Sequence, residues 1–159
     1  MSKPKDESSN PDAYRQALGL LVRREHSRRE LRRKLDARGA DAKQAEAALE
    51  RLVGQGYQDD ARFAEMLVRT RINAGYGPLH IRAELGTHGI ASDTVGAVLA
   101  EADPDWNVLA ANALRRRYGE RPPRDRAESL KRGHFLQRRG FDATSIRHAT
   151  QSIVEANED

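Results

Sequence analysis

The sequence contains no cysteine, which excludes disulfide bonds, thiolate zinc sites and a cysteine nucleophile. Aromatic residues are also scarce, at 5% of the 159 residues, and no apolar run is long enough to cross a membrane. The first eleven residues are polar and lack the apolar segment of a signal peptide. We therefore expect a soluble cytoplasmic protein with no membrane partner.

Patterns typical of β-strands are missing as well. No stretch alternates apolar and polar residues at the period of a strand, and Ile and Val together supply only 12 residues, whereas Ala supplies 23. Because alanine is the best helix former and has a small side chain, this composition indicates closely packed helices. We predict an all-α chain of about nine helices.

Helix start and stop signals place these helices along the chain. The predicted N-terminal residues or caps are Asp12, Ser27, Asp41, Asp59, Ser92, Asp103, Asp125 and Asp142, with Pro78 at the first position of a helix. Ser27 and Glu30 have the spacing of a capping box. Glycines at positions 39, 54, 56, 89 and 140 are predicted to end helices.

An internal repeat is the most informative feature of the sequence. A leucine precedes a glycine by four residues three times, at spacings of 50 and 51 residues: Leu35 and Gly39, Leu85 and Gly89, Leu136 and Gly140. The positions six, nine, ten and thirteen residues after each glycine are apolar, except for Thr150, and share one helical face. This pattern predicts three tandem three-helix repeats of about fifty residues.

The predicted boundaries are residues 12–57, 58–103 and 104–157, after a disordered polar tail at residues 1–11. A repeat of this size cannot bury all of its apolar surface alone. We therefore expect the repeats to stack into an elongated, curved, right-handed array. A single globular bundle that contains similar helix pairs is the alternative.

Motifs of catalysis are not found in the sequence. The five histidines include no i, i+4 pair of the kind that binds a metal on a helix, and no nucleophile elbow or phosphate-binding loop is present. We interpret Gly75–Pro78 as a turn, and Asp59 and Asp60 as a helix cap and a first-turn charge. We expect no enzymatic activity, no metal and no cofactor.

Charge is distributed unevenly: the net charge is +6 over residues 15–35, −5 over residues 40–105 and +7 over residues 115–147. Basic ends of this kind point to a polyanion or an acidic protein as the partner. The candidate contact residues are basic residues of two predicted helical surfaces: Arg24, Arg28, Arg29, Arg32, Arg33 and Lys34 near the N-terminus, and Arg115, Arg116, Arg117, Lys131, Arg132, Arg138 and Arg139 near the C-terminus.

Both basic surfaces have few counter-charges nearby in the sequence, and like charges one turn apart destabilise an isolated helix. Their accumulation therefore suggests an external anion or an acidic partner. The alternative is a solvated charged face that maintains solubility. Because no aromatic-rich platform accompanies either surface, we expect salt-sensitive contact with phosphate backbones or docking on an acidic protein assembly, rather than base stacking.

Three ordered groups of residues carry a family resemblance. They are Arg24-x-x-Ser27-x-x-Glu30-Leu31-x-x-Lys34-Leu35-x-x-x-Gly39; Gly56-Tyr57-x-Asp59-Asp60-x-x-Phe63-Ala64, followed by Arg71, Gly77, Ile81, Leu85 and Gly89-Ile90; and Phe135-Leu136-x-x-Arg139-Gly140-Phe141 with Ile146. In this order they resemble the RecX family of regulators of the RecA recombinase, from about residue 13 to residue 154. Gln58, where a small or apolar residue often follows the tyrosine, and the long polar tail depart from the family pattern.

The resemblance implies a negative regulator of homologous recombination and of the SOS response. Such a protein binds the groove of the RecA–single-stranded DNA filament, inhibits ATP hydrolysis and strand exchange, and limits filament growth. It also implies some affinity for DNA, single-stranded or double-stranded, and we expect a monomer. The alternatives are a helical protein that binds nucleic-acid backbones without RecA, and a scaffold whose helical grooves hold a peptide.

Overall fold

Nine α-helices and no strand make up the residues that the structure, a computed structural model, describes: the backbone of residues 11–155 and the side chains of residues 12–151. The helices are α1 (Pro11–Arg23), α2 (Arg28–Ala37), α3 (Ala42–Gly54), α4 (Asp60–Asn73), α5 (Pro78–Thr87), α6 (Ser92–Ala102), α7 (Trp106–Tyr118), α8 (Arg126–Arg138) and α9 (Ala143–Glu155). The prediction of an all-α helical repeat is confirmed. The predicted disordered tail lies outside the described residues, except for Pro11, at which α1 begins.

Side-chain caps begin several helices at the predicted residues. The carboxylates of Asp125 and Asp142 accept hydrogen bonds from the backbone N–H groups three residues on, at 2.8 and 2.9 Å. Ser27 Oγ accepts a bond of 3.1 Å from the N–H of Glu30. A cap of this kind satisfies one of the N–H groups that the first turn of a helix leaves unpaired.

Two predicted helix starts are wrong. Asp12 lies in the first turn of α1 rather than at its cap, because the helix already begins at Pro11. Helix α7 begins at Trp106 and not at the Asp103–Pro104 pair. Asp103 ends α6 in a left-handed conformation, at φ 39°, whereas an N-cap needs an extended backbone, which Asp105 provides.

The three leucines that mark the repeat are each fully buried. The three glycines that follow them, Gly39, Gly89 and Gly140, have φ values of 80°, 70° and 89°. At Gly140, this conformation lets the N–H of Phe141 bond to the carbonyl oxygen of Leu136 at 3.1 Å, which closes the end of α8. Helices α2, α5 and α8 are therefore each followed by a glycine with a left-handed backbone.

The described residues form two compact units. Unit 1 contains residues 11–66 together with His88–Ile90, and unit 2 contains Leu67–Thr87 together with residues 91–155. The three-repeat division of the chain stays our proposal. Within unit 1, α1 packs on α3, and within unit 2, α7 packs on α9.

Alanines account for the close packing of both helix pairs. Ala13 and Ala17 of α1 are buried in one core with Leu31, Leu35, Ala45, Ala48, Leu49 and Leu52. Ala110 and Ala113 of α7 are buried in the other core with Leu114, Leu136, Phe141 and Ala149. Small side chains let helix axes approach closely, so the high alanine content serves packing as well as helix propensity.

A close backbone approach within unit 2 joins the start of α5 to the end of α8. The N–H of Gly77 bonds to the carbonyl oxygen of Arg139 at 2.8 Å, and the N–H of Leu79 bonds to that of Gly140 at 2.9 Å. A Cβ atom on Gly77 would lie 2.5 Å from the backbone of Gly140, and one on Gly140 would lie 2.4 Å from the backbone nitrogen of His80. Only glycine fits at both positions.

We expect Gly140→Ala to destabilise the fold more than Gly39→Ala. Both replacements place a side chain on a left-handed backbone, which lowers the free energy of unfolding by about 1–2 kcal/mol. At Gly39 nothing is added to this loss, because a Cβ there meets no atom within 4 Å. The clash at Gly140 raises its loss to about 2–5 kcal/mol. Urea unfolding followed by circular dichroism measures both losses, and equal losses would contradict the role assigned to this backbone approach.

Candidate functional site

The first basic surface lies on unit 1 and consists of Arg24, Arg28, Arg29, Arg32, Arg33 and Lys34, which we call the N-terminal basic surface. Helix α2 buries Leu31 and Leu35 at one turn's spacing, so its five basic residues occupy the remaining faces, while Arg24 lies between α1 and α2. The cap at Ser27 fixes where the helix begins and therefore which residues face outwards.

Carboxylates neutralise much of this surface, so the expectation of few counter-charges is wrong. Glu46 of α3 forms ion pairs with both Arg28 and Arg32, in the second case at 3.0 Å. Arg32 also contacts Asp36, one turn further along α2, at 3.1 Å. The sequence places Glu46 in the next helix, and only the packing of α3 on α2 brings it to these arginines.

A second carboxylate, that of Glu30, is buried and holds Arg24 and Lys34. Lys34 Nζ lies 3.2 Å from Glu30 Oε1. Burial raises the pKa of the Glu30 carboxyl, but hydrogen bonds from Arg24 and Lys34 outweigh it, and the pKa lies below its usual value. The Glu30 half of the predicted capping box is therefore used for ion pairs, while the Ser27 half forms as predicted.

Buried polar side chains complete this cluster. Burial lowers the pKa of His26, whose Nδ1 donates to the carbonyl oxygen of Arg24 at 2.9 Å. Ser27 Oγ lies 2.7 Å from Nδ1 of His88. Gln58, the departure from the family pattern, is buried and donates to the carbonyl oxygen of His26 at 3.3 Å and to Asp60 at 2.9 Å.

Arg29 and Arg33 are the other two arginines of the N-terminal basic surface. The Arg29 guanidinium packs against Gly89, where an added Cβ would lie 2.8 Å from its central carbon. Arg33 is exposed and has no ion pair or hydrogen-bond partner among the residues that the structure describes. Arg33 is therefore the member of this surface whose charge is most available to a partner.

The second surface lies on unit 2 and consists of Arg115, Arg116, Arg117, Lys131, Arg138 and Arg139, which we call the C-terminal basic surface. Helix α7 ends with the arginine triplet, and α8 ends at Arg138. Across the described part of the chain, no carboxylate lies within ion-pair distance of any of these six side chains. Unlike the N-terminal basic surface, this surface keeps its positive charge.

Arg132, predicted as a member of this surface, is buried and does not belong to it. Its Nη2 donates to the carbonyl oxygen of Arg121 at 2.9 Å and to Glu128 Oε1 at 3.0 Å. Its guanidinium also lies 4.8 Å from the centre of the Tyr118 ring. The sequence shows that Arg132 lies one helical turn after Glu128, but the burial of Arg132 depends on the segment before α8.

The uncharged partners of the C-terminal basic surface are backbone oxygens at the end of α4. Arg116 Nη1 donates to the carbonyl oxygen of Asn73 at 3.0 Å, and Arg139 Nη1 donates to that of Ala74 at 3.3 Å. These carbonyls are left unpaired where α4 ends, and they carry the partial negative charge of its dipole. The two guanidinium groups are held in place and keep their formal charges.

Aromatic rings interleave with these arginines. The Arg139 guanidinium lies 4.7 Å from the centre of Tyr76 and 5.3 Å from that of Phe135. Tyr76 stacks on His80 at 4.3 Å, and Tyr118 meets Phe135 edge to face at 5.8 Å. We call His80, Tyr76, Arg139, Phe135 and Tyr118 the stacked ladder.

A pocket of about 170 Å³ opens beside this ladder. Its lining consists of three small residues, one phenylalanine and three arginines: Ala74, Gly75, Ala113, Phe135, Arg116, Arg117 and Arg139. The expectation that no aromatic-rich group accompanies this surface is therefore wrong. Tyr76 belongs to the Gly75–Pro78 segment, which was interpreted only as a turn, and Phe135 was noted only for the family resemblance. The glycines on both sides of Tyr76 are the signal that could have found it, since Gly77 allows the close approach to Arg139.

Neither a metal site nor a membrane-spanning segment is found in the described part of the chain. Its His, Asp and Glu side chains form no group of three that could hold a metal ion. None of its helices is both long and apolar enough to cross a membrane.

The fold places this chain in a class: proteins built from tandem three-helix domains. A family model described as the first three-helix domain of RecX matches residues 13–52, and one described as the second three-helix domain of RecX matches residues 59–99. Together they cover α1 to α6 almost completely. The chain belongs to the RecX family.

Curated relatives extend the similarity over most of the chain. It is 58% identical over 139 residues to the regulatory protein RecX of Xanthomonas campestris pv. campestris strain B100, covering 87% of this chain and 86% of that one. It is 56% identical over 135 residues to the regulatory protein RecX of Stenotrophomonas maltophilia strain R551-3, covering 85% and 83%.

Solved structures agree with the fold. A crystal structure of regulatory protein RecX superimposes with a TM-score of 0.75 at 28% identity, over 92% of this chain and 74% of that one. RecX from Lactobacillus salivarius superimposes with a TM-score of 0.68 at 23% identity, over 93% and 96%, and supports the fold alone.

We expect the stability contributed by Glu128 to disappear in acid. A backbone hydrogen bond from Arg124, followed by bonds from the Arg124 and Arg132 side chains, lowers the pKa of Glu128 from 4.5 to about 2. Because the folded pKa is depressed, this stabilisation is complete above pH 4.5 and is lost as the pH falls towards 2. The melting temperature of Glu128→Gln should therefore lie below that of the parent at pH 7 and approach it in acid.

Glu101→Gln is the matched control, since Glu101 is exposed and has no partner among the described residues. Its melting temperature should follow that of the parent at each pH. A Glu128→Gln variant as stable as the parent at pH 7 would contradict the role assigned to this carboxylate.

Proposed function

We propose that this protein is a negative regulator of homologous recombination that binds the RecA–single-stranded DNA filament, inhibits its ATPase and strand-exchange activities, and limits filament growth. The observation that carries the proposal is the match of both RecX three-helix domain models, in order, to residues 13–52 and 59–99. The names of the curated relatives, which call them regulatory proteins, support it.

The physical basis of the proposal is binding without chemistry. A ligand that prefers one arrangement of filament subunits shifts the filament towards that arrangement in proportion to its difference in affinity. Inhibition then requires contact with the filament and no catalytic group in the regulator. We propose action in the cytoplasm as a monomer, in DNA repair and the SOS response.

The residues proposed for contact with RecA are those of the N-terminal basic surface. Glu46 and Glu30 hold most of these basic side chains in fixed positions. A surface of paired and unpaired charges suits recognition of a protein surface that presents its own mixed charges, because such contacts give specificity through their geometry. Arg33 is our first choice, since it is exposed and without a partner in the described part of the molecule.

The second candidate function is a protein that binds nucleic-acid backbones independently of RecA. The C-terminal basic surface favours it, because its arginines have neutral partners. This candidate predicts binding to free nucleic acid that weakens steeply with salt.

RecA ATP hydrolysis on single-stranded DNA distinguishes the two candidates. Under the proposed function, the purified chain inhibits hydrolysis at doses well below one molecule per RecA protomer, because one bound regulator affects many protomers of a growing filament. Inhibition only at doses that saturate the DNA would favour the second candidate and contradict the first.

We expect Arg33→Glu to weaken this inhibition several-fold, because a negative charge replaces the most available positive charge of the N-terminal basic surface. The assay is the dose that gives half-inhibition of RecA ATPase, with helix content checked by circular dichroism. Arg147→Glu is the control: Arg147 is exposed on α9, and its guanidinium has no ion pair or hydrogen-bond partner among the described residues, although its carbonyl oxygen accepts a bond from Thr150. Unchanged inhibition by Arg33→Glu would exclude this surface as the contact with RecA.

A further inference from the structure

The two basic surfaces differ in what their arginines already bind. On the N-terminal basic surface, Arg24, Arg28 and Arg32 form ion pairs with carboxylates of the same unit. On the C-terminal basic surface, Arg115, Arg116 and Arg139 donate to amide or backbone oxygens, which carry no formal charge. Among the residues that the structure describes, no carboxylate neutralises the charge of the second surface.

We infer that the C-terminal basic surface binds the phosphodiester backbone of single-stranded nucleic acid, at the pocket between Arg116, Arg117 and Arg139. The inference deepens the proposed function and rests on it for the identity of the polyanion. It assigns the nucleic acid to this surface and leaves the N-terminal basic surface for the protein partner.

Pre-orientation of the arginines supports this assignment. Each guanidinium has five N–H donors in one plane, and the bonds to Asn73 and Ala74 fix Arg116 and Arg139 through one nitrogen each. Their other donors have no hydrogen-bond partner among the described residues, so they can bind phosphate oxygens in the forked geometry that arginine favours. Because the side chains are already ordered, less conformational entropy is lost when an anion binds.

The stacked ladder explains why bases are not the target. One face of Tyr76 is covered by His80, and the Arg139 guanidinium lies over the ring. Phe135 has Arg139 over its ring and Tyr118 against it edge to face. Bases of single strands often stack on aromatic rings, and these rings already contact Arg139, His80 or one another. We therefore expect the rings to orient the arginines and the binding to be independent of sequence.

Charge density favours a nucleic acid over an acidic protein. Three guanidinium groups line a pocket of about 170 Å³, and nearby Glu84 is already held by Arg71 through two bonds of 2.6 and 2.7 Å. A single strand carries a charge on every nucleotide and bends to follow donors from two helix ends, whereas the carboxylates of a folded protein surface keep fixed spacings.

The test measures binding of a fluorescent oligothymidylate to the full chain by anisotropy, in the absence of RecA. The variant R115Q/R116Q/R117Q should lose about tenfold or more in affinity, and its salt dependence, d log K/d log[salt], should become shallower by about 2, since each contact to a single strand contributes about 0.7. The control R28Q/R32Q/R33Q removes the same charge from the N-terminal basic surface and should bind within about twofold of the parent.

Arg116 also holds the end of α4, so circular dichroism checks that the triple variant folds. If it does not, R115Q/R117Q replaces it, because neither side chain bonds to another helix. Equal losses for the two surfaces, or no loss for the C-terminal variant, would overturn the assignment.

Competition identifies the ligand. Oligoadenylate and an abasic strand should displace the labelled strand about as well as oligothymidylate does, and a failure of the abasic strand would show that bases are bound. Polyglutamate of equal charge should compete poorly. Displacement by polyglutamate at the same concentration as DNA would overturn the choice of nucleic acid in favour of an acidic protein.

The outcomes separate this inference from the proposed function. If the parent chain binds DNA through this surface but does not inhibit RecA ATPase, the proposed function fails and the assignment of the surface stands. If the parent inhibits RecA and the C-terminal variant still binds DNA like the parent, the assignment fails alone.

Discussion

Unit 2 depends on one backbone constraint, the close approach of Gly77 and Gly140. Two hydrogen bonds, from the N–H groups of Gly77 and Leu79, attach the start of α5 to the end of α8. No side chain larger than hydrogen fits at either glycine. The same contact brings Arg139 beside Tyr76. Gly77 and Gly140 are therefore needed both for the fold of unit 2 and for the position of Arg139 in the C-terminal basic surface.

The chemistry of each basic surface follows from the partners of its arginines rather than from their number. An ion pair with Glu46 leaves Arg28 and Arg32 ordered but largely neutralised. A backbone carbonyl orders Arg116 or Arg139 equally well and leaves the charge in place. Exposed ion pairs add little to stability, so their main effect on unit 1 is to lower the potential that a polyanion meets.

Most of the fold could be predicted from the sequence, because local signals are strong in this chain. The caps at Ser27, Asp41, Asp125 and Asp142, and the three spaced leucine–glycine pairs, act through hydrogen bonds and backbone conformations within a few residues. The prediction was wrong where two neighbouring signals competed, as at Asp103 and Asp105. The basic residues of the candidate site were found from composition, but Arg132 was placed at the surface although it is buried.

The sequence by itself determined the helices, the repeat period and the location of the two basic segments, because each follows from propensity, capping or charge over a short span. Apart from pairs one helical turn apart, such as Arg32 with Asp36, tertiary structure decided which arginines are neutralised. Glu46, Asn73, Ala74 and Tyr76 lie in other helices or loops than the arginines they meet, and the partner of a long side chain depends on which helix packs beside it. Electrostatic character depends on neighbours in space, and two neighbours of Arg139, Ala74 and Tyr76, are more than sixty residues away in the chain.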